Sequence, residues 1–151
     1  MRYPKNTKLP HREDYADPER VFHLTFRTHP EVISLTQRVA DATWASVLEQ
    51  RHSSRVELFA ACLMPDHLHL LISPRDQGIL TFSAAMEVMD FEARARRRTF
   101  RTQPGMLDRA CRDQDDLETT ATCIVRNPVE ANLVEDERDW PWTWCWWWDD
   151  A

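Results

Sequence analysis

Arg55-Val56-Glu57-Leu58-Phe59-Ala60-Ala61-Cys62-Leu63-Met64-Pro65-Asp66-His67-Leu68-His69-Leu70-Leu71-Ile72-Ser73 is the stretch on which the fold turns. Residues 55–63 and 66–73 are each apolar runs of strand length. The turn around Met64-Pro65 is short enough to fold them back as a hairpin. The second run carries His67 and His69. On a strand, residues i and i+2 share a face, so the two imidazoles project together, about 7 Å apart at their roots. Neutral imidazoles ligate divalent metals, and a cation held this way can polarise a phosphoryl oxygen. The same spacing also occurs where two histidines merely pack and hydrogen-bond in a sheet, and spacing alone does not choose between the two readings.

Outward from the hairpin, Val21-Phe-His-Leu-Thr-Phe-Arg27 is β-branched and aromatic, which predicts a strand. Between it and the hairpin, Pro30 sits at a helix start. Val32, Leu35 and Val39, flanked by Ile33, Ala40, Trp44, Val47 and Leu48, then give an apolar face at helical spacing to about Arg51. Beyond the hairpin a second helix is expected from Thr81 to Arg98, with Phe82, Met86, Met89 and Ala93 as its stripe. A third is expected from Asp113 to Val125, with acidic residues in its first turn and an end ahead of Pro128. This order predicts a ferredoxin-like α+β domain, an antiparallel sheet with helices on one face. Its fourth strand must come from residues 105–112, so it is short or missing. The expected organisation is a single domain over 1–151, with an N-terminal arm at 1–19 and an acidic, helical and Trp-rich extension at 113–151.

Composition removes several function classes. Gly78 and Gly105 are the only glycines among 151 residues, so glycine-dependent phosphate loops and dinucleotide fingerprints cannot be built. The net charge of -6 is unevenly spread. Residues 1–110 carry 16 basic against 14 acidic side chains, and residues 111–151 carry 3 against 11. The acidic total therefore does not exclude a nucleic-acid partner for the body of the chain. Cys62, Cys111, Cys123 and Cys145 form no C-x-x-C pair, which signals neither a zinc site nor a disulfide framework. No apolar run approaches the roughly 20 residues that span a bilayer, and the expected setting is cytoplasmic, without a membrane partner.

Met64-Pro-Asp-His-Leu-His-Leu-Leu-Ile72 resembles the Met-Pro-Asn-His-Val-His-Leu-Leu-Ile signature of single-tyrosine HUH transposases, in particular the REP-associated tyrosine transposases. Met1-Arg-Tyr-Pro, Val21-Phe-His-Leu-Thr-Phe-Arg-Thr28, Ile124-Val-Arg-Asn-Pro-Val-Glu-Ala-Asn-Leu-Val134 and Asp139-Trp-Pro-Trp142 are similar to family segments in the same order. The resemblance implies a protein of DNA transposition that recognises hairpin or single-stranded DNA and cuts it through a 5'-phosphotyrosine intermediate. It implies that His67 and His69 hold Mg2+ or Mn2+ on the scissile phosphate, usually with a third ligand from the helix after the hairpin. It places the nucleophilic tyrosine on that same helix.

This chain departs from the pattern there. Phe91 stands where the tyrosine is expected, and Ala95 and Arg96 occupy the neighbourhood of the third ligand. Phenylalanine has no hydroxyl, and losing the nucleophile of a covalent mechanism costs on the order of a millionfold in well-studied hydrolases. Tyr3 and Tyr15, the only tyrosines, lie on the N-terminal arm. The leading expectation is thus a transposase-like DNA-binding protein with impaired cleavage. Its alternatives are cutting by a metal-bound water at His67, His69 and Asp66, or a non-catalytic regulatory or protein-interaction module.

DNA contact does not require the nucleophile. Arg94, Arg97, Arg98 and Arg101 recur at i, i+3, i+4 and i+7, a basic stripe suited to phosphates or equally to a solvated face. In the tail, Trp140, Trp142, Trp144, Trp146 and Trp148 alternate, so an extended chain would line them on one side, opposite Trp147. Such a ladder could stack bases. The neighbouring Asp139, Asp149 and Asp150 favour instead a flap over the sheet or a homodimer contact.

Overall fold

The structure is a computed structural model that describes residues 21–27, 36–49, 56–74 and 107–149. Its elements are β1 (Phe22–Arg27), α1 (Gln37–Glu49), β2 (Val56–Met64), β3 (His67–Pro74), β4 (Leu107–Ala110), α2 (Gln114–Glu130) and β5 (Thr143–Cys145). The strands form one antiparallel sheet in the order β4-β1-β3-β2-β5. Its first four strands have the expected ferredoxin-like arrangement, and β4 is present but only four residues long. The hairpin forms with Pro65 and Asp66 in its turn, each strand shifted by one residue from its expected bounds. The arm at 1–19 and the helix expected at 81–98 lie outside the described residues.

Alternation along the strands builds two core layers. Phe22, Leu24 and Phe26 of β1 and Leu68, Leu70 and Ile72 of β3 point to one face, where Ala40 and Val47 of α1 meet them. The opposite face carries Ala60, Cys62, Met64 and Leu71, covered by Leu117, Ala121, Ile124 and Val125 of α2. A bulge between Leu58 and Ala60 shifts the register of β2. It lets Leu58 share the α1 face with Ala61 and Leu63 despite the odd spacing. Among the described residues one helix therefore packs on each face, α1 on one and α2, the helix of the C-terminal extension, on the other.

That extension differs from its expected form in two ways. First, α2 does not stop ahead of Pro128 but continues to Glu130. Proline lacks the N–H that would bond to the carbonyl of Ile124. The Asn127 side-chain amide donates to that Ile124 carbonyl at 3.2 Å and to the Cys123 carbonyl at 3.3 Å, so the helix continues with its carbonyls satisfied. It ends in a Schellman motif: Asn132 takes φ 60°, its N–H bonds the Val129 carbonyl, and the Leu133 N–H bonds the Pro128 carbonyl. At the other end Asp113 caps the Asp116 N–H, and the buried Asp116 carboxylate accepts from the Arg112 N–H.

Second, the tryptophans do not make a one-sided ladder. Only Thr143–Cys145 is extended, paired with β2, and a 3-10 turn follows from Trp146 to Asp149. The chain thus crosses the sheet edge. Trp142 and Trp144 pack on the α1-side core, while Trp140, Trp146, Trp147 and Trp148 pack on the α2-side core. The indole N–H of Trp140 donates to the Leu63 carbonyl, and that of Trp142 to Asp41 Oδ1 on α1, each at 2.9 Å. The tail thus adds an edge strand to the sheet and lays its tryptophans on both faces of it.

Candidate functional site

His67 and His69 lie on β3, the central strand, and alternation turns both toward the face that also carries α2. Their rings meet edge to face with centroids 4.5 Å apart. On β1, Arg27 stands opposite His67 and Thr25 opposite His69. On β2, Met64 and Cys62 are the corresponding partners. Thr25, Arg27, Asp66, His67 and His69 line a cleft of about 260 Å³.

The two imidazoles are held in different ways. His67 Nδ1 lies 2.6 Å from Asp66 Oδ1. A carboxylate only accepts, so Nδ1–H donates. His69 Nδ1 lies 2.9 Å from His23 Nε2 and 3.2 Å from Thr25 Oγ1, both reached across the β1–β3 ladder. Burial, with His23 and His67 adding to it, holds the His69 pKa down at about 3. Burial, helped by the Arg109 guanidinium on β4, holds His23 at about 4. Both rings are neutral at pH 7, the form in which a histidine nitrogen can bind a cation.

Among the described residues, no group of three or more His, Cys, Asp or Glu side chains is arranged to hold a metal. His67 and His69 stand as a pair on one face of β3, each engaged through Nδ1. Cys62 stands opposite His69. Its thiol is pushed up to about 12 by burial, against a weaker opposing pull from Thr143.

The structure brings together the expected pair His67 and His69. Phe91, Arg94, Arg97, Arg98 and Arg101, with Tyr3, Tyr15, Ala95 and Arg96, lie outside the described residues. The sequence reading passed over His23 and Thr25 as site residues. Their signal was present in the alternation His23, Thr25, Arg27 down one side of β1, but it acquires meaning only once β1 is registered against β3.

Fold and site define a small antiparallel α+β protein with a paired-histidine cleft on its central strand. The family model described as "Transposase IS200 like" matches residues 19–103, and the chain belongs to that family. A solved structure, that of a REP-associated tyrosine transposase bound to a REP hairpin, shares the fold with a TM-score of 0.65 at 18% identity, covering 95% of this chain and 81% of that one. No curated protein matches the chain. Among the described residues, no helix is long and apolar enough to cross a membrane.

Proposed function

We propose that this IS200-like family member binds single-stranded or hairpin DNA over the β1–β3 cleft and that its cleavage step is impaired. The observation that carries the reading is the pairing of His67 and His69, two imidazoles 4.5 Å apart, in one cleft with Arg27. His67 and His69 would hold Mg2+ or Mn2+, in keeping with a family that is generally metal-dependent. The bound cation would act as a Lewis acid on a phosphate oxygen. Arg27, exposed at the end of β1, offers a guanidinium to the same phosphate backbone, and Asp66 holds the His67 ring in the orientation ligation needs. The basic stripe Arg94, Arg97, Arg98 and Arg101 would extend the contact along the strand. Phe91 would leave no hydroxyl to attack phosphorus.

The test is an incubation of the full chain with labelled hairpin DNA and Mn2+, read by mobility shift and by denaturing gel. A shifted complex without a covalent adduct is the expected result. An adduct mapping to Tyr3 or Tyr15 would overturn the claim of impaired cleavage. Metal-dependent nicking without an adduct would point to a water nucleophile, and the absence of any DNA complex would point to the interaction module.

A further inference from the structure

The β2–β3 hairpin carries one end of the cleft at its tip. Pro65 and Asp66 make the turn, and Met64 pairs with His67 directly beneath it. On the β3 side the tip is held by β1, where Arg27 stands opposite His67. On the β2 side the registered pairs with β5 end at Cys62 and Thr143, before the tip is reached. Leu63, the next residue of β2, is wholly buried, so water cannot satisfy its backbone groups, and a carbonyl left there without a donor would be costly.

The tail bonds both of those groups, and chemistry sets the direction of each bond. The Leu63 N–H donates to the Trp142 carbonyl at 2.8 Å. The Trp140 indole nitrogen, which can only donate, gives its N–H to the Leu63 carbonyl at 2.9 Å, from 77 residues away in the chain. A side chain thus completes the backbone pairing at the point where β5 stops. Trp142 is itself tied down, since its indole N–H donates to Asp41 Oδ1 of α1 at 2.9 Å. Trp140 packs on the α2-side core and Trp142 on the α1-side core, with ring centroids 5.2 Å apart and edge to face. The two indoles straddle the edge of β2 two residues before the turn.

We propose that Trp140 and Trp142 clip the hairpin tip and so act as positioning residues for Asp66 and His67. The segment from Leu63 to His67 contains the whole turn, and the Asp66–His67 side-chain bond lies within it, so a tip that opens carries both members of that bond away from the cleft. Fixing Leu63 from both faces of the sheet anchors one end of this segment, as β1 anchors the other through the partner of His67. The C-terminal extension thereby does more than cover apolar area. It sets how firmly the outer end of the histidine cleft is held.

The clip stands on its own bonds, and its consequence for a metal rests on the proposed function. 15N relaxation dispersion on the full chain without metal decides the first. Trp140→Phe keeps an aromatic ring and loses the donor, which should raise the population of an opened tip about 5- to 100-fold, the range for a buried carbonyl deprived of its partner. Exchange broadening of the Met64, Asp66 and His67 amides is expected in that variant. None is expected in the wild type or in Trp148→Phe, which changes a tail ring that packs under the Arg138 guanidinium instead. A quiet tip in a folded Trp140→Phe would overturn the proposal, and equal broadening in Trp148→Phe would reduce it to lost packing. Should Trp140→Phe fail to fold, Asp41→Ala removes the acceptor of Trp142 at an exposed position of α1 and should broaden the same three amides, a quiet tip there being the contrary result. Mg2+ then tests the link to the site. An ion on His67 and His69 needs the tip closed, so saturating Mg2+ should suppress the broadening in Trp140→Phe. Broadening that persists while the His67 and His69 resonances shift with Mg2+ would overturn the positioning role. A wild type whose histidine resonances ignore Mg2+ would remove the metal reading, and the metal-free spectra would still decide the clip.

Discussion

The face of the sheet that carries α2 has two halves that use similar strands for opposite ends. Over β1 and β3 the side chains facing out of the sheet are His23, Thr25, Arg27, His67 and His69, and they line or support an open cleft. Over β2 and β5 the corresponding layer is Ala60, Cys62, Met64 and Cys145, sealed under α2 and the tryptophans. One half keeps polar groups paired with each other beside a cleft, while the other removes apolar area from water. Changes in the first half should alter binding more than stability. Changes in the second should do the reverse.

The largest expected effect is in the polar half. His67→Ala combined with His69→Ala should reduce Mn2+ binding at least 100-fold by calorimetry, on the order of the loss expected when both ligands go. Its thermal midpoint should stay close to the wild type. A large fall in the midpoint would break the division between the halves.

Next comes the sealed half. Ile124→Ala empties a side chain that is 1% exposed, and a loss of about 2–5 kcal/mol is expected from urea unfolding, with Mn2+ affinity unchanged. Asn127→Ala is expected to cost about 1 kcal/mol, because the Ile124 carbonyl that Pro128 cannot reach would lose its donor. A null effect for Asn127→Ala would mean that the helix passes Pro128 by other means.

These sites also show what the sequence could reveal. The hairpin at 56–74 was legible because alternation and a Met-Pro turn are local signals, and the histidine pair followed from the period of a strand. The passage of α2 through Pro128 was not legible, because proline's missing donor is made good by the side chain of the preceding asparagine, which no propensity scale encodes. Alternating tryptophans suggested an extended ladder, but the partner of Thr143–Cys145 is a strand more than 80 residues earlier, and the edge it covers decides where each indole goes. His23 was in view as part of a strand. Its pairing with His69 depends on register between strands, which the sequence does not state.

The smallest expected effect is alkaline. Cys62 is held up at about 12 against an ordinary 9, so above pH 9 the unfolded chain releases a thiol proton that the folded chain retains. The unfolded state then binds fewer protons, and stability falls as pH rises from 9 toward 12. Cys62→Ala should flatten that fall in urea titrations between pH 8 and 10. At pH 8, a thiol reagent should label the exposed Cys123 while the buried Cys62 and Cys145 stay silent until the protein unfolds.

On the proposed reading, the paired histidines form a metal-assisted site for DNA. It is tested most directly by the anisotropy of a labelled DNA hairpin titrated with the full chain, with and without Mn2+, for the wild type and for His67→Ala combined with His69→Ala. Mn2+ is expected to tighten binding to the wild type and to have no effect on the variant. Equal binding by both proteins, with Mn2+ making no difference to either, would contradict it.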